Sequence, residues 1–146
     1  MINELPDFQA VKKRFEALPN GARAEIRRAA LPEDMAWLSG FYRLFPGERP
    51  DERHRRLAFL LPHAKNDPNP KAQSLGSQCS KRISENRVLQ IARSDSPLDI
   101  VQLRRLLIHI DPALNWSEFG RMIWFWNDKS KRKLVEDFYI AQLDPS

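Results

Sequence analysis

The chain has 146 residues, 42% of them hydrophobic, a single cysteine and a formal net charge of +5, with an isoelectric point near 9.7. That length allows one domain or two small helical lobes with a real core. Lone Cys79 excludes an internal disulfide, and the lack of any apolar run near ~18 residues or of a leader pattern points to a soluble, cytoplasmic protein with no membrane contact.

In chain order, Pro6 fits the first position of an amphipathic helix that ends at Leu18, because Pro19-Asn20-Gly21 is a strong breaker. Phe8, Val11, Phe15 and Leu18 supply its buried stripe. Asn20 is placed to cap a second helix, in which Arg23 and Arg27 fall one turn apart with Arg28 beside them. From Pro32 a third helix is expected, with Met35, Leu38, Tyr42 and Phe45 on its core face and Ser39-Gly40 as a kink or close-packing point. The segment from Asp51 to Leu61 is charged at its start and apolar at its end, so its second half should enter the core. Residues 62–74 hold three prolines, two asparagines and two lysines and almost no apolar anchor, the composition of a linker or mobile loop. This divides the chain into an N-terminal lobe, 1–62, a linker, 63–73, and a C-terminal lobe, 74–146.

Beyond the linker, SLGSQC begins a short helical turn and Ser84 caps the next helix, where Val88, Leu89, Ile91 and Ala92 share one side and Asn86, Arg87, Gln90 and Arg93 the other. A turn at 94–96 follows. Ser96 can cap the helix after it, Pro97 suits the first helical position and Asp99 completes a capping box. That helix is apolar almost all round through Ile100, Val101, Leu103, Leu106, Leu107, Ile108 and Ile110, leaving a narrow polar strip of Gln102, Arg105 and His109. It should be mostly buried, with the heads of Arg104 and Arg105 emerging at the rim near Arg93. Asn115 caps a further helix carrying Phe119, Met122, Ile123 and Trp126 at core spacing, and the basic run KSKRK (129–133) opens a last one that packs Leu134, Phe138 and Ala141. No strand pattern or repeat is present, so the fold class is all-α, a two-lobed helical bundle.

The segments NGARAEIRRA (20–29), GFYRLF (40–45), SLG (74–76), RISENRVLQIARSDS (82–96), VQLRRLL (101–107), PALNW (112–116) and EDF (136–138) come in an order and at spacings that resemble the CasB family. That family is the small subunit of Cascade, the type I-E CRISPR surveillance complex. The resemblance implies a non-enzymatic, cofactor-free, all-helical protein in two lobes, present as two adjacent copies along the guide-RNA filament. Such a subunit contacts the backbone and large subunits of Cascade, the guide RNA and the displaced single-stranded target DNA, which it holds to lock the R-loop. By matching motif, the implied contacts are Arg27 and Arg28 in IRR, Arg93 in IARSD, and Arg104 and Arg105 in QLRRLL. Arg53 also falls on a basic family position. Ser96 departs from members that are basic there, and the 62–74 loop is shorter than theirs.

Each arginine also has a purely structural alternative. Arg27 could pair with Glu25 on a solvated face, and Arg104 could form a buried ion pair with Asp95 or Asp99. The run Trp124-Phe125-Trp126 resembles a base-stacking platform, but its helical spacing beside Phe119 and Met122 favours core; Trp37 is ambiguous. Cys79 with His109 is the only nucleophile–base pairing available and lacks a third orienting group, while Glu136 and Asp137 suit helix salt bridges better than a metal centre. A helix-turn-helix regulator would need the 98–110 helix to lie in a major groove, for which it is too apolar. A protein-only helical adaptor is the other alternative.

Overall fold

The computed structural model describes residues 5–145; the first four residues of the expected 1–62 lobe and the last of the 74–146 lobe lie outside them. Nine α-helices form within the described residues: α1 (Phe8–Ala17), α2 (Asn20–Arg28), α3 (Ser39–Arg43), α4 (Glu52–Leu60), α5 (Leu75–Cys79), α6 (Glu85–Arg93), α7 (Leu98–Ile110), α8 (Trp116–Trp124) and α9 (Asp128–Gln142). The all-α expectation holds, and none of these helices is long and apolar enough to cross a membrane.

Most helix starts follow from side-chain caps. Asp7 accepts from Ala10 N–H, Ser74 from Ser77 N–H, Ser84 from Arg87 N–H, Asn115 from Glu118 N–H and Asn127 from Ser130 N–H, each satisfying a donor the helix cannot. The anticipated stripe of α1 is buried throughout, from Phe8 to Leu18. Asn20 is itself the first residue of α2, preceded by Pro19. The expected continuous helix after Pro32 breaks instead into a 3-10 turn, Pro32–Trp37, and α3, with Leu38 extended between them (φ −110°, ψ 122°). The break changes which residues face inward. Phe41 and Leu44 are buried, while Tyr42 is exposed with its hydroxyl on the Ala36 carbonyl at 2.6 Å, and Trp37 is 87% exposed.

Two departures concern the middle of the chain. Ser96 makes no cap; the residue before α7 is Pro97, and Asp99 is drawn into the core, where it accepts from Trp126 Nε1 at 2.9 Å and pairs with Lys131 at 3.1 Å. The 94–96 turn is nevertheless fixed. Ser94 Oγ donates to the Gln90 carbonyl, lies 2.9 Å from Gln102 Oε1, and its own carbonyl accepts from Lys131 Nζ. The second departure is a short parallel strand pair: β1 (Lys65–Asn66), in the stretch whose composition reads as linker, pairs with β2 (Ala113–Leu114). Trp116 Nε1 donates to the Ala64 carbonyl, Trp116 N–H to Asn66 Oδ1, and the Asn115 amide to the carbonyls of Pro68 and Asn69. These bonds satisfy the backbone where side-chain burial cannot hold it.

Packing joins the two halves of the sequence. α1 lies on α8 through Phe8 and Trp124, whose rings are 6.1 Å apart, and Gly120 lets Phe8 approach the helix backbone. Arg56 from α4 donates to the carbonyls of Ile123 and Trp124, both at 2.8 Å, so a guanidinium completes the C-terminal end of α8. α5 and α6 both pack on α9.

Candidate nucleic-acid interface

Arginine exposure follows from the helix faces. Ile26 of α2 is buried, which turns Arg27 and Arg28 outward in its last turn; Val88 and Ile91 of α6 turn Arg93 outward; Leu103, Leu106 and Leu107 of α7 leave Arg105 exposed. Arg104 lies between these extremes. Its guanidinium stands 4.3 Å from the centre of the Phe59 ring and donates to the Ala29 carbonyl at the end of α2, where a cation meets the negative end of the helix dipole. Arg104 thus runs toward α2 and α4, away from the Arg93 rim, and the ion pair with Asp95 or Asp99 does not form; Asp99 is taken by Lys131.

Around this end of α2 a set of positive charges collects. His63, in the 3-10 turn after α4, is pushed down to about 4, first by burial and then by the charges of Arg104, Arg27 and Lys12, and its Nε2 is buried with no hydrogen-bond partner. Lys12 is 5% exposed and donates to the Leu61 carbonyl at 2.9 Å; burial lowers its pKa, Glu16 opposes this and Arg27 adds to it. Arg104 is lowered by burial and then by Arg105. Among the described residues no carboxylate lies within salt-bridge reach of Arg27, Arg28, Arg93, Arg104 or Arg105. The alternative pairing of Arg27 with Glu25 is therefore not made. Like charges gathered with no ion-pair partner for the arginines raise the local potential, which a polyanion relieves.

The other expected positions are arranged differently. Arg53 is engaged by Asp51 at 2.8 Å and stands 4.6 Å from the Trp124 ring centre; the Asp51 carboxyl is held well below the usual carboxylate range by its bonds to Arg53 and His54, which outweigh its desolvation. Arg93 is exposed on α6, its charge bears on the Tyr139 phenol of α9, and it is not among the charges that bear on His63. Trp124 is core, as its spacing suggests, but Phe125 is 43% exposed and Trp126 is held by Asp99. Cys79 is fully buried with its thiol pushed up to about 12 by desolvation, and His109 is exposed. No cluster of three or more His, Cys, Asp or Glu that could hold a metal occurs among the described residues. Asp137 pairs with Lys133 along α9 at 2.7 Å. Sequence reasoning passed over Lys12 and His63. Lys12 did carry a signal, since it lies four residues after Phe8 and three before Phe15, on the buried stripe itself.

Three comparisons bear on identity. The family profile of CRISPR-associated protein Cse2 matches residues 22–139. The Escherichia coli (strain K12) CRISPR system Cascade subunit CasB is 36% identical, over 97% of this chain and 97% of that protein. A chain in the crystal structure of E. coli Cascade bound to a PAM-containing dsDNA target superposes with a TM-score of 0.86 at 34% identity, covering 95% of this chain and 98% of that one. With helices, motifs and coverage in agreement along nearly the whole length, this chain belongs to the CRISPR-associated Cse2 (CasB) family.

Proposed function

We propose that this protein is the non-catalytic small subunit of a type I-E Cascade complex, where it holds the displaced DNA strand of the R-loop and braces the guide-RNA backbone beside a second copy of itself. The observation that carries this reading is the meeting of Arg27 and Arg104 at His63, near the end of α2, with Arg28 and Arg105 exposed beside them in sequence, none of the four matched by a carboxylate among the described residues. A sequence-blind electrostatic surface is what an RNA-guided complex requires of a subunit that handles the freed strand, since base pairing reads the sequence. Arg93 extends the same role on the α6 side. Arg53 takes part only by giving up Asp51.

The helix-turn-helix alternative loses support because α7, its recognition helix, buries Leu103, Leu106, Leu107 and Ile110 and cannot enter a groove. The test is single-strand binding as a function of salt. Each phosphate neutralised on a single strand contributes about −0.7 to the slope of log affinity against log salt, so Arg27→Ala with Arg105→Ala should flatten the slope by roughly 1.4. The loss should be nearly independent of sequence, and Lys71→Ala should change little. An unchanged slope in a well-folded double variant would place the displaced strand elsewhere.

A further inference from the structure

α8 and α9 meet at the Phe125–Asn127 corner, and between their outer faces lies an open groove of about 880 Å³. Arg121 lines it from α8, Phe125 from the corner just after that helix, and Lys129, Arg132 and Lys133 from the first turns of α9. Glu118 and Glu136 border it too, so four cations face two carboxylates. Lys133 is held by Asp137, whereas Arg121, Lys129 and Arg132 have no carboxylate partner among the described residues.

The aromatic run at this corner divides by role. Trp124 is 4% exposed and Trp126 is tied to Asp99, but Phe125 presents 43% of its surface, and the Arg121 guanidinium stands 5.4 Å from its ring centre. An exposed ring flanked by an excess of cations is the combination that binds single-stranded nucleic acid: a base stacks on the ring, and the backbone on either side meets positive charge. The groove is separate from the face around His63. Lys131 points inward to Asp99 and Ser94, so Lys129 and Lys133, two residues to either side, project from the opposite side of α9. None of the groove's charges is among those that depress His63.

We propose that the α8–α9 groove is a second binding site for single-stranded nucleic acid, with one base stacked on Phe125 and the adjoining phosphates on Arg121, Lys129 and Arg132. This goes beyond the displaced-strand face, because it needs neither Arg27 nor Arg105.

The experiment uses the full chain and a fluorescein-labelled oligothymidine, with anisotropy measured across a salt series. Phe125→Leu keeps an apolar side chain and removes the stacking face; it should weaken binding about tenfold with little change in salt slope. Phe125→Trp should bind at least as tightly as the unmodified chain. Lys129→Gln with Arg132→Gln should flatten the slope by roughly 1.4. All three are repeated in an Arg27→Ala, Arg105→Ala background, where the groove's share should persist, so that failure of the groove and failure of the displaced-strand face are read separately. Circular dichroism confirms folding in each case. Wild-type affinity and slope for the groove variants in both backgrounds would overturn the proposal and leave the groove to an acidic protein segment. A changed slope with no effect of Phe125→Leu would overturn it as well, reducing the groove to diffuse basic surface.

Discussion

The Lys131 ammonium reaches Asp99 at 3.1 Å and the Ser94 carbonyl at 2.7 Å, and both side chains of the pair are nearly closed to water at 13% and 3% exposure. Two charges so placed depend on each other. Lys131→Met strands the Asp99 carboxylate and should cost roughly 3–5 kcal/mol in urea denaturation, while Lys131→Met with Asp99→Asn should recover much of that loss. A single-variant cost no greater than the double's would refute the coupling. His63 provides the pH dependence. Folded, it stays neutral down to about 4, whereas the unfolded chain protonates it near 6.5. The unfolded state therefore binds the extra proton first, so this contribution to stability is complete above about 6.5 and declines as pH falls toward 4. The urea midpoint should drop between pH 7 and pH 5, and His63→Gln should reduce that drop; equal pH dependence in the two proteins would count against the burial and positive charge invoked here.

At the level of elements, the sharpest constraint is α5 lying on α9. A Cβ at Gly76 would run into the Leu134 carbonyl oxygen and come within 2.8 Å of Asp137 Cβ and 3.0 Å of Phe138 N. Backbone cannot move aside as a side chain can, so Gly76→Ala should destabilise by about 2–3 kcal/mol or more, measured by chemical denaturation. A loss below about 0.5 kcal/mol would mean the helices slide apart freely. Helix existence and buried faces were legible in the sequence wherever one axis persists, as in α1, α6 and α7. The face from Pro32 to Phe45 was legible only in part: Ser39-Gly40 marked a kink, but a full break at Leu38 put Phe41 and Leu44 inside in place of Tyr42. Ser96 has the chemistry of a cap, but Asp99 answers to Trp126 and Lys131, partners outside any local window. The strand pair is two residues long on each side, too short for an alternation to register. The site divides the same way. Outward faces for Arg27 and Arg105 could be read from a helical wheel, whereas the meeting of Arg27, Arg104 and Lys12 around His63 exists only after α1, α2 and α7 have packed.

For the whole molecule in its complex, the proposed displaced-strand face requires that the Arg27→Ala, Arg105→Ala variant tested above copurify with guide RNA and backbone subunits yet shorten R-loop lifetime, because base pairing would be untouched and only the freed strand released. Loss of guide RNA instead would move the arginines to the filament side. The packing of α1 on α8 carries a consequence of its own. Phe8 finds its place against Gly120 and Trp124, and Arg56 finds its acceptors at Ile123 and Trp124. A ribosome making the chain from the N-terminus therefore releases α1 well before α8 exists. At ~5–20 residues per second the wait is on the order of ten seconds, during which Phe8 lacks its native cover although the rest of α1 already has partners at Leu44 and Leu61. The start of α1 is thus among the last parts of the described fold to be seated.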